Sequence, residues 1–153
     1  MNVIEIKDDL EKKNIARYIL DSLVEWFEIA EAREQYIQDS AGKLFFCAYK
    51  KDKPVGFLYL KETGKDTIEL AVMGVLKEHH RSGIGKDLFE SAKNIAREKG
   101  YSFIQVKTVQ MGKYEDYDNT NKFYISLGFK EFEVLPTLWD EMNPCQIYVM
   151  YLG

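Results

Sequence analysis

The chain predicts an α/β fold built on a mixed sheet, and three observations carry that reading. Short apolar runs at residues 44–50, 55–62 and 67–75 are separated only by turns, the pattern of an antiparallel meander. The third run leads through a glycine-containing loop into a long amphipathic stretch and then a further apolar run at 101–109. That order is a βαβ crossover between parallel strands. No repeat or low-complexity linker interrupts the 153 residues, which suit one domain over 1–153.

Each element has a local reason. Residues 2–7 carry Val3, Ile4 and Ile6 among polar neighbours and form the first strand; a helix starts near Asp9, its expected N-cap. A second helix covers 29–38, and Leu23 to Phe27 before it fits helix or loop. Lys51-Asp52-Lys53-Pro54 turns the second strand into the third, and Thr63-Gly64-Lys65-Asp66 turns the third into the fourth. Over 83–99 the apolar residues Ile84, Leu88, Ala92, Ile95 and Ala96 make one helical stripe, and Gly100 stops it. The polar, tyrosine-rich stretch 111–119 reads as a loop. Asp118 or Asn119 then caps a short helix through Leu127, which Gly128 ends. Strands at 129–134 and 146–152, joined by a loop over 135–144, close the chain.

Composition narrows the function. With 46% hydrophobic and 30% charged residues the chain is globular, and a net charge of −4 excludes a general polyanion surface, so no nucleic-acid partner is expected. The early acids of the N-terminus and the lack of a long apolar run predict no signal peptide and no membrane partner, hence a cytoplasmic protein. Cys47 and Cys145 sit in apolar surroundings and read as buried free thiols.

His80-Arg81-Ser82-Gly83-Ile84-Gly85, followed by Lys86, is the stretch with chemical content. Between Lys77 and Lys86 three fixed cations stand against Glu78 alone, in an acidic chain. The first N–H groups of a helix lack intrahelical partners and carry the positive end of its dipole, so an anion completes them. A Walker loop is excluded because His80 stands at its first glycine and Asp87 at its Ser/Thr. A dinucleotide fingerprint is excluded because Leu88 stands at its third glycine. His79 and His80 are adjacent, not at helical ligand spacing, and no metal is expected.

This loop resembles the acetyl-CoA loop of the GNAT N-acetyltransferase superfamily, Gln/Arg-x-x-Gly-x-Gly/Ala after the fourth strand, with His80 at the Gln/Arg position and Gly83 and Gly85 matching. A second stretch, Tyr117-x-x-Thr120-x-x-Phe123-Tyr124-x-x-x-Gly128-Phe129, is similar to the family's Asn-x-x-Ala-x-x-Phe-Tyr-x-x-x-Gly-Phe in its aromatic half. The resemblance implies a GNAT-like mixed, mostly antiparallel central sheet with splayed fourth and fifth strands and flanking helices. It also implies that acetyl-CoA is the acetyl donor. His80, Arg81, Ser82, Gly83, Ile84, Gly85 and Lys86 would hold its pyrophosphate, and the backbone at Met73 and Val75 its pantetheine arm and thioester carbonyl.

Transfer to an amine requires the amine uncharged, and a lysine-like amine at pH 7 is about three pH units short of that. Glu69 is the expected base. Strand alternation puts it on the face of Ala71 and Met73, and it lies fourteen residues before Gly83, as in some members of the family. Tyr124, at the Phe-Tyr position, is the expected acid for the departing thiolate. Trp26, Phe27, Tyr59, Tyr114, Tyr117 and Trp139 are candidates to surround a small-molecule or peptide amine acceptor, with Trp139 and Asp140 the pair expected to face it. A homodimer is what the family implies about assembly. The alternatives are a non-catalytic acyl-CoA-binding regulatory module, which needs neither Glu69 nor Tyr124, and an interaction protein with a vestigial cofactor site.

Overall fold

In the computed structural model, which describes residues 2–153, the meander forms as expected. Strands β2 (Leu44–Lys50) and β3 (Lys53–Glu62) pair antiparallel from Leu44↔Leu60 to Lys50↔Lys53. Their two-residue turn holds Lys51 at φ 52° and Asp52 at φ 64°, the left-handed pair that a type I′ hairpin requires. A bulge between Ala48 and Tyr49 puts Pro54 opposite Tyr49, so the residue without an N–H sits at a break in the ladder. Strand β4 (Thr67–Val75) runs back along β3, since Thr63 N donates to Thr67 O at one end and Leu76 N to Val55 O at the other.

Among the described residues the remaining strands are β1 (Asn2–Ile6), β5 (Phe103–Val109), β6 (Lys130–Asp140) and β7 (Asn143–Tyr151), and the sheet order is β1-β2-β3-β4-β5-β7-β6. The β4–β5 ladder is parallel and short, with partners Thr67↔Phe103, Ile68↔Ile104 and Glu69↔Gln105. These three pairs are the ladder, and each strand has further residues beyond it, β4 to Val75 and β5 to Val109.

The chain divides into two compact units. One runs to Lys61 and resumes over Leu70–Ile95; the other is Glu62–Glu69 with Ala96–Gly153. In the first, α1 (Asp9–Leu20) is capped by Asp8, whose carboxylate accepts from Glu11 N at 2.9 Å. Asp9, the expected cap, instead accepts from Gly42 N and pairs with Lys12. Helix α2 (Ala30–Asp39) is tied to α1 by a two-pronged ion pair of Arg17 with Glu34, and that guanidinium draws the Glu34 carboxyl down to about 2. Helix α3 (Ile84–Glu98) buries Ile84, Leu88 and Ala92 of the stripe read from the sequence, adds Phe89 to them, and leaves Ile95 half-buried.

Two glycines let the helices seat on opposite sides of these strands. A Cβ at Gly56 would meet Ile84 and Leu88 of α3 at 3.0 and 3.2 Å; one at Gly74 would meet Ile19 at 3.1 Å, Leu23 at 3.2 Å and Phe57 at 3.3 Å. All three neighbours of Gly74 are buried and have no room to retreat. Gly74→Val is expected to lower unfolding free energy by about 2 kcal/mol through overpacking, read by urea titration.

In the second unit, α4 (Glu115–Leu127) starts a turn earlier than the loop expected at 111–119 allowed. Glu115, Asp116 and Asp118 occupy its first turn, where the helix dipole favours carboxylates. Asp118 is therefore inside the helix and accepts from Gly112 N at 2.7 Å; the N-cap is Tyr114, without a side-chain bond. The expected loop over 135–144 is also corrected. β6 and β7 continue through it as one long hairpin, whose tip is held by Asp140 accepting from Met142 N and Asn143 Nδ2. Charged and turn-forming residues there obscured a strand whose pairing comes from its partner rather than from propensity.

Candidate active site

Along β4 burial alternates: Ile68, Leu70, Val72 and Gly74 are buried, while Glu69, Ala71, Met73 and Val75 are half-buried on the other face. After Leu76 and a 3-10 turn at Lys77–His79 the chain reaches the loop. Arg81 takes φ 63° and Gly83 φ 85°, and the space around a Gly83 Cβ is open, so this glycine serves conformation and not clearance. A left-handed arginine is held at a cost of about 1–2 kcal/mol, strain of the kind that collects at ligand sites. Ser82 Oγ donates to His79 O and fastens the turn.

The first bond of α3 joins Asp87 N to Gly83 O at 3.0 Å, so the amides of Ile84, Gly85 and Lys86 lie ahead of the helical ladder. The Ile84 side chain is core, leaving only its amide for a ligand. Arg81 and Lys86 are exposed, whereas Lys77 pairs with Glu25 at 3.2 Å. Loop, free amides and cations together fit a diphosphate. His80 has a partner within the protein. Its Nε2 lies 2.8 Å from Val75 O, donating to it, and its ring meets Trp26 edge-on at 5.4 Å, so the imidazole braces the loop against the end of β4.

In the second unit, Glu69 Oε1 accepts from Lys107 Nζ of β5 at 2.9 Å, with side-chain exposures of 14% and 27%. Sequence reading missed Lys107. The signal was a cation in an apolar run, but its meaning needed the register: Glu69 is level with Gln105, so Lys107 follows two residues on, on the same face.

Tyr124 is buried among the rings of Phe123, Phe129 and Tyr148. Burial pushes its phenol well above the ordinary tyrosine range, which keeps it protonated. No protein group among the described residues bonds its hydroxyl. Burial also raises both thiols, Cys47 to about 12, which leaves them as thiols at neutral pH.

The aromatic candidates separate. Tyr59 is core, its hydroxyl bonded to Tyr36 O at 2.8 Å; Phe27 stands edge-on to Tyr36, and Tyr114 to Tyr117. Trp139 is exposed on β6 rather than on a loop, and the carboxylate of Asp140 is taken up by the hairpin tip. Among the described residues no cluster of three or more His, Cys, Asp or Glu is placed to hold a metal, and no helix is long and apolar enough to cross a membrane.

A family model described as an acetyltransferase (GNAT) domain matches residues 41–131, more than half the chain and all of the loop, with Glu69 and Tyr124 inside it. The chain belongs to the GNAT acetyltransferase family. This GNAT chain is similar in fold to a structure described as a GNAT-family acetyltransferase from Desulfovibrio desulfuricans, at TM-score 0.83, 19% identity and 99% coverage of both chains. It is also similar to an aminoglycoside 6'-acetyltransferase type Ii, at 0.82, 20% identity, and 100% and 98% coverage. An aminoglycoside 6'-N-acetyltransferase complexed with coenzyme A matches at 0.76, 16% identity, and 100% and 98% coverage. None of the curated proteins compared matches the chain. Membership in the GNAT acetyltransferase family supports an acyltransferase activity.

Proposed function

We propose that the whole chain acts as one domain that transfers acetyl from acetyl-CoA to a primary amine, by direct attack and without an acyl-enzyme. The loop carries this reading: free amides at Ile84–Lys86 with Arg81 and Lys86 beside them suit a diphosphate. Ser82 and His80 hold the loop in shape, and Gly83 allows its turn. Acetyl-CoA supplies the activated acyl group. The β4 backbone at Met73 and Val75 would carry the donor arm, and the Met73 amide would steady charge developing on the carbonyl oxygen.

Glu69 receives the proton of the attacking amine, through water, and Lys107 positions its carboxylate. Tyr124 returns a proton to the leaving thiolate; its neutral, unpartnered hydroxyl supports that role. The raised thiol pKa values speak against Cys47 and Cys145 as nucleophiles, and two unpaired cysteines suit a reducing cytoplasm. The acceptor class is a small-molecule or peptide amine, and a homodimer is the assembly we expect.

The decisive experiment incubates purified protein with acetyl-CoA and a panel of amines, reading thiol release and product mass. Amine-dependent release with a +acetyl product supports the reading; coenzyme A binding without turnover on any amine favours the regulatory module. Within it, Glu69→Gln keeps an acceptor for Lys107 but loses the base. Its kcat/KM is expected to fall about tenfold near pH 7, with a smaller deficit at higher pH where the amine is already neutral. Equal rates for wild type and Glu69→Gln across pH would remove Glu69 from the reaction.

A further inference from the structure

The first unit holds an open cavity of about 410 Å³ to which the steps proposed above assign no role. Lys50, Lys51 and Lys53 line it from the β2–β3 hairpin and His79 from the 3-10 turn, while Val55 and Leu76 give it buried apolar surface. Tyr18 of α1 adds an exposed ring, and Glu78 is the one acid in the lining. In a chain with 25 acids to 21 bases, three lysines gather here. None of the three makes an ion pair among the described residues. The turn that presents them keeps Lys51 and Asp52 left-handed where glycine or asparagine is the easy choice, so local stability is forgone to place a lysine at the tip.

Glu78 and His79 bring this cavity up to the diphosphate loop, but its other walls come from elsewhere. Tyr18 belongs to α1, which packs against the Gly74 side of the strands, whereas the amides of Ile84–Lys86 open α3, which packs against the Gly56 side. Its volume suits one small molecule. A lining with three lysines and no arginine suits a compact dianion with several acceptor oxygens better than the planar two-oxygen edge of a carboxylate. We infer that the hairpin cavity is a second anion site, which takes the phosphate monoester of a small molecule whose apolar body rests on Val55, Leu76 and the Tyr18 ring.

Coenzyme A also carries a phosphate monoester, on its ribose, so the test has to separate the two sources. Phenyl phosphate is titrated calorimetrically into the full chain, alone and with saturating coenzyme A. Saturable binding is expected in both cases, with none for uncharged benzyl alcohol. In the triple variant Lys50→Gln, Lys51→Gln, Lys53→Gln the affinity is expected to drop about tenfold or more, the sum of three exposed charge contacts, with Tm and coenzyme A affinity unchanged. Competition by coenzyme A would assign the phosphate to the donor and overturn the second site. So would absence of binding at millimolar probe, or equal binding by the triple variant. Because the single-probe arm needs no acetyl transfer, failure here and failure of the acetyltransferase reading are distinguishable.

Discussion

Tyr124→Phe is expected to lower kcat about a hundredfold while acetyl-CoA affinity stays within a few-fold and Tm barely moves. The three readouts follow from one geometry. The ring packs against Phe123, Phe129 and Tyr148, and phenylalanine keeps those contacts. The hydroxyl bonds no protein group among the described residues, so its removal orphans nothing and should not destabilise the fold. What is lost is a phenol that burial holds protonated, the state a proton donor needs at neutral pH. Steady-state kinetics with the best amine of the panel, isothermal titration of acetyl-CoA and a thermal melt measure the three. A variant with wild-type kcat would leave Tyr124 a packing residue. A large fall in Tm would mean that its hydroxyl has a structural partner.

Asn121→Ala should have the opposite signature, a large loss of stability. Asn121 is fully buried in α4; its Nδ2 donates to Val109 O at 2.8 Å and Tyr117 O at 2.6 Å, and its Oδ1 accepts from Tyr148 Oη at 2.6 Å. Alanine removes all three bonds at once. It leaves the Val109 carbonyl at the end of β5 and the Tyr148 hydroxyl of β7 without partners in a buried setting. Each orphaned group costs about 1–3 kcal/mol, so a loss of about 3–4 kcal/mol is expected from urea unfolding, near half of a typical domain's stability. The double variant Asn121→Ala, Tyr148→Phe tests the cause. It should recover part of that loss, because the phenylalanine ring brings no hydroxyl to satisfy. A single variant within about 0.5 kcal/mol of wild type would show that water replaces the amide.

Local information sufficed wherever one element decides its own shape. The alternation of Thr67–Val75, the apolar stripe of α3 and the glycines at 83, 100 and 128 are short-range patterns, and each appears in the fold where the residues put it. The same holds for the loop, whose free amides follow from chain order alone: strand, turn, helix start. Tertiary structure decided what needs a second strand or helix to be in place. Lys107 acquires meaning only once the parallel register sets Glu69 level with Gln105. Tyr59 is committed to the core through Tyr36 O, a partner on another element that neither residue type nor spacing announces. The hairpin through 135–144 belongs to this second group, since strand pairing is supplied by the partner. The physical reason is one of range. Backbone periodicity and capping act within about one helical turn of the residue that encodes them, whereas ion pairs, hydroxyl partners and ladder register depend on residues tens of positions away that only packing brings together.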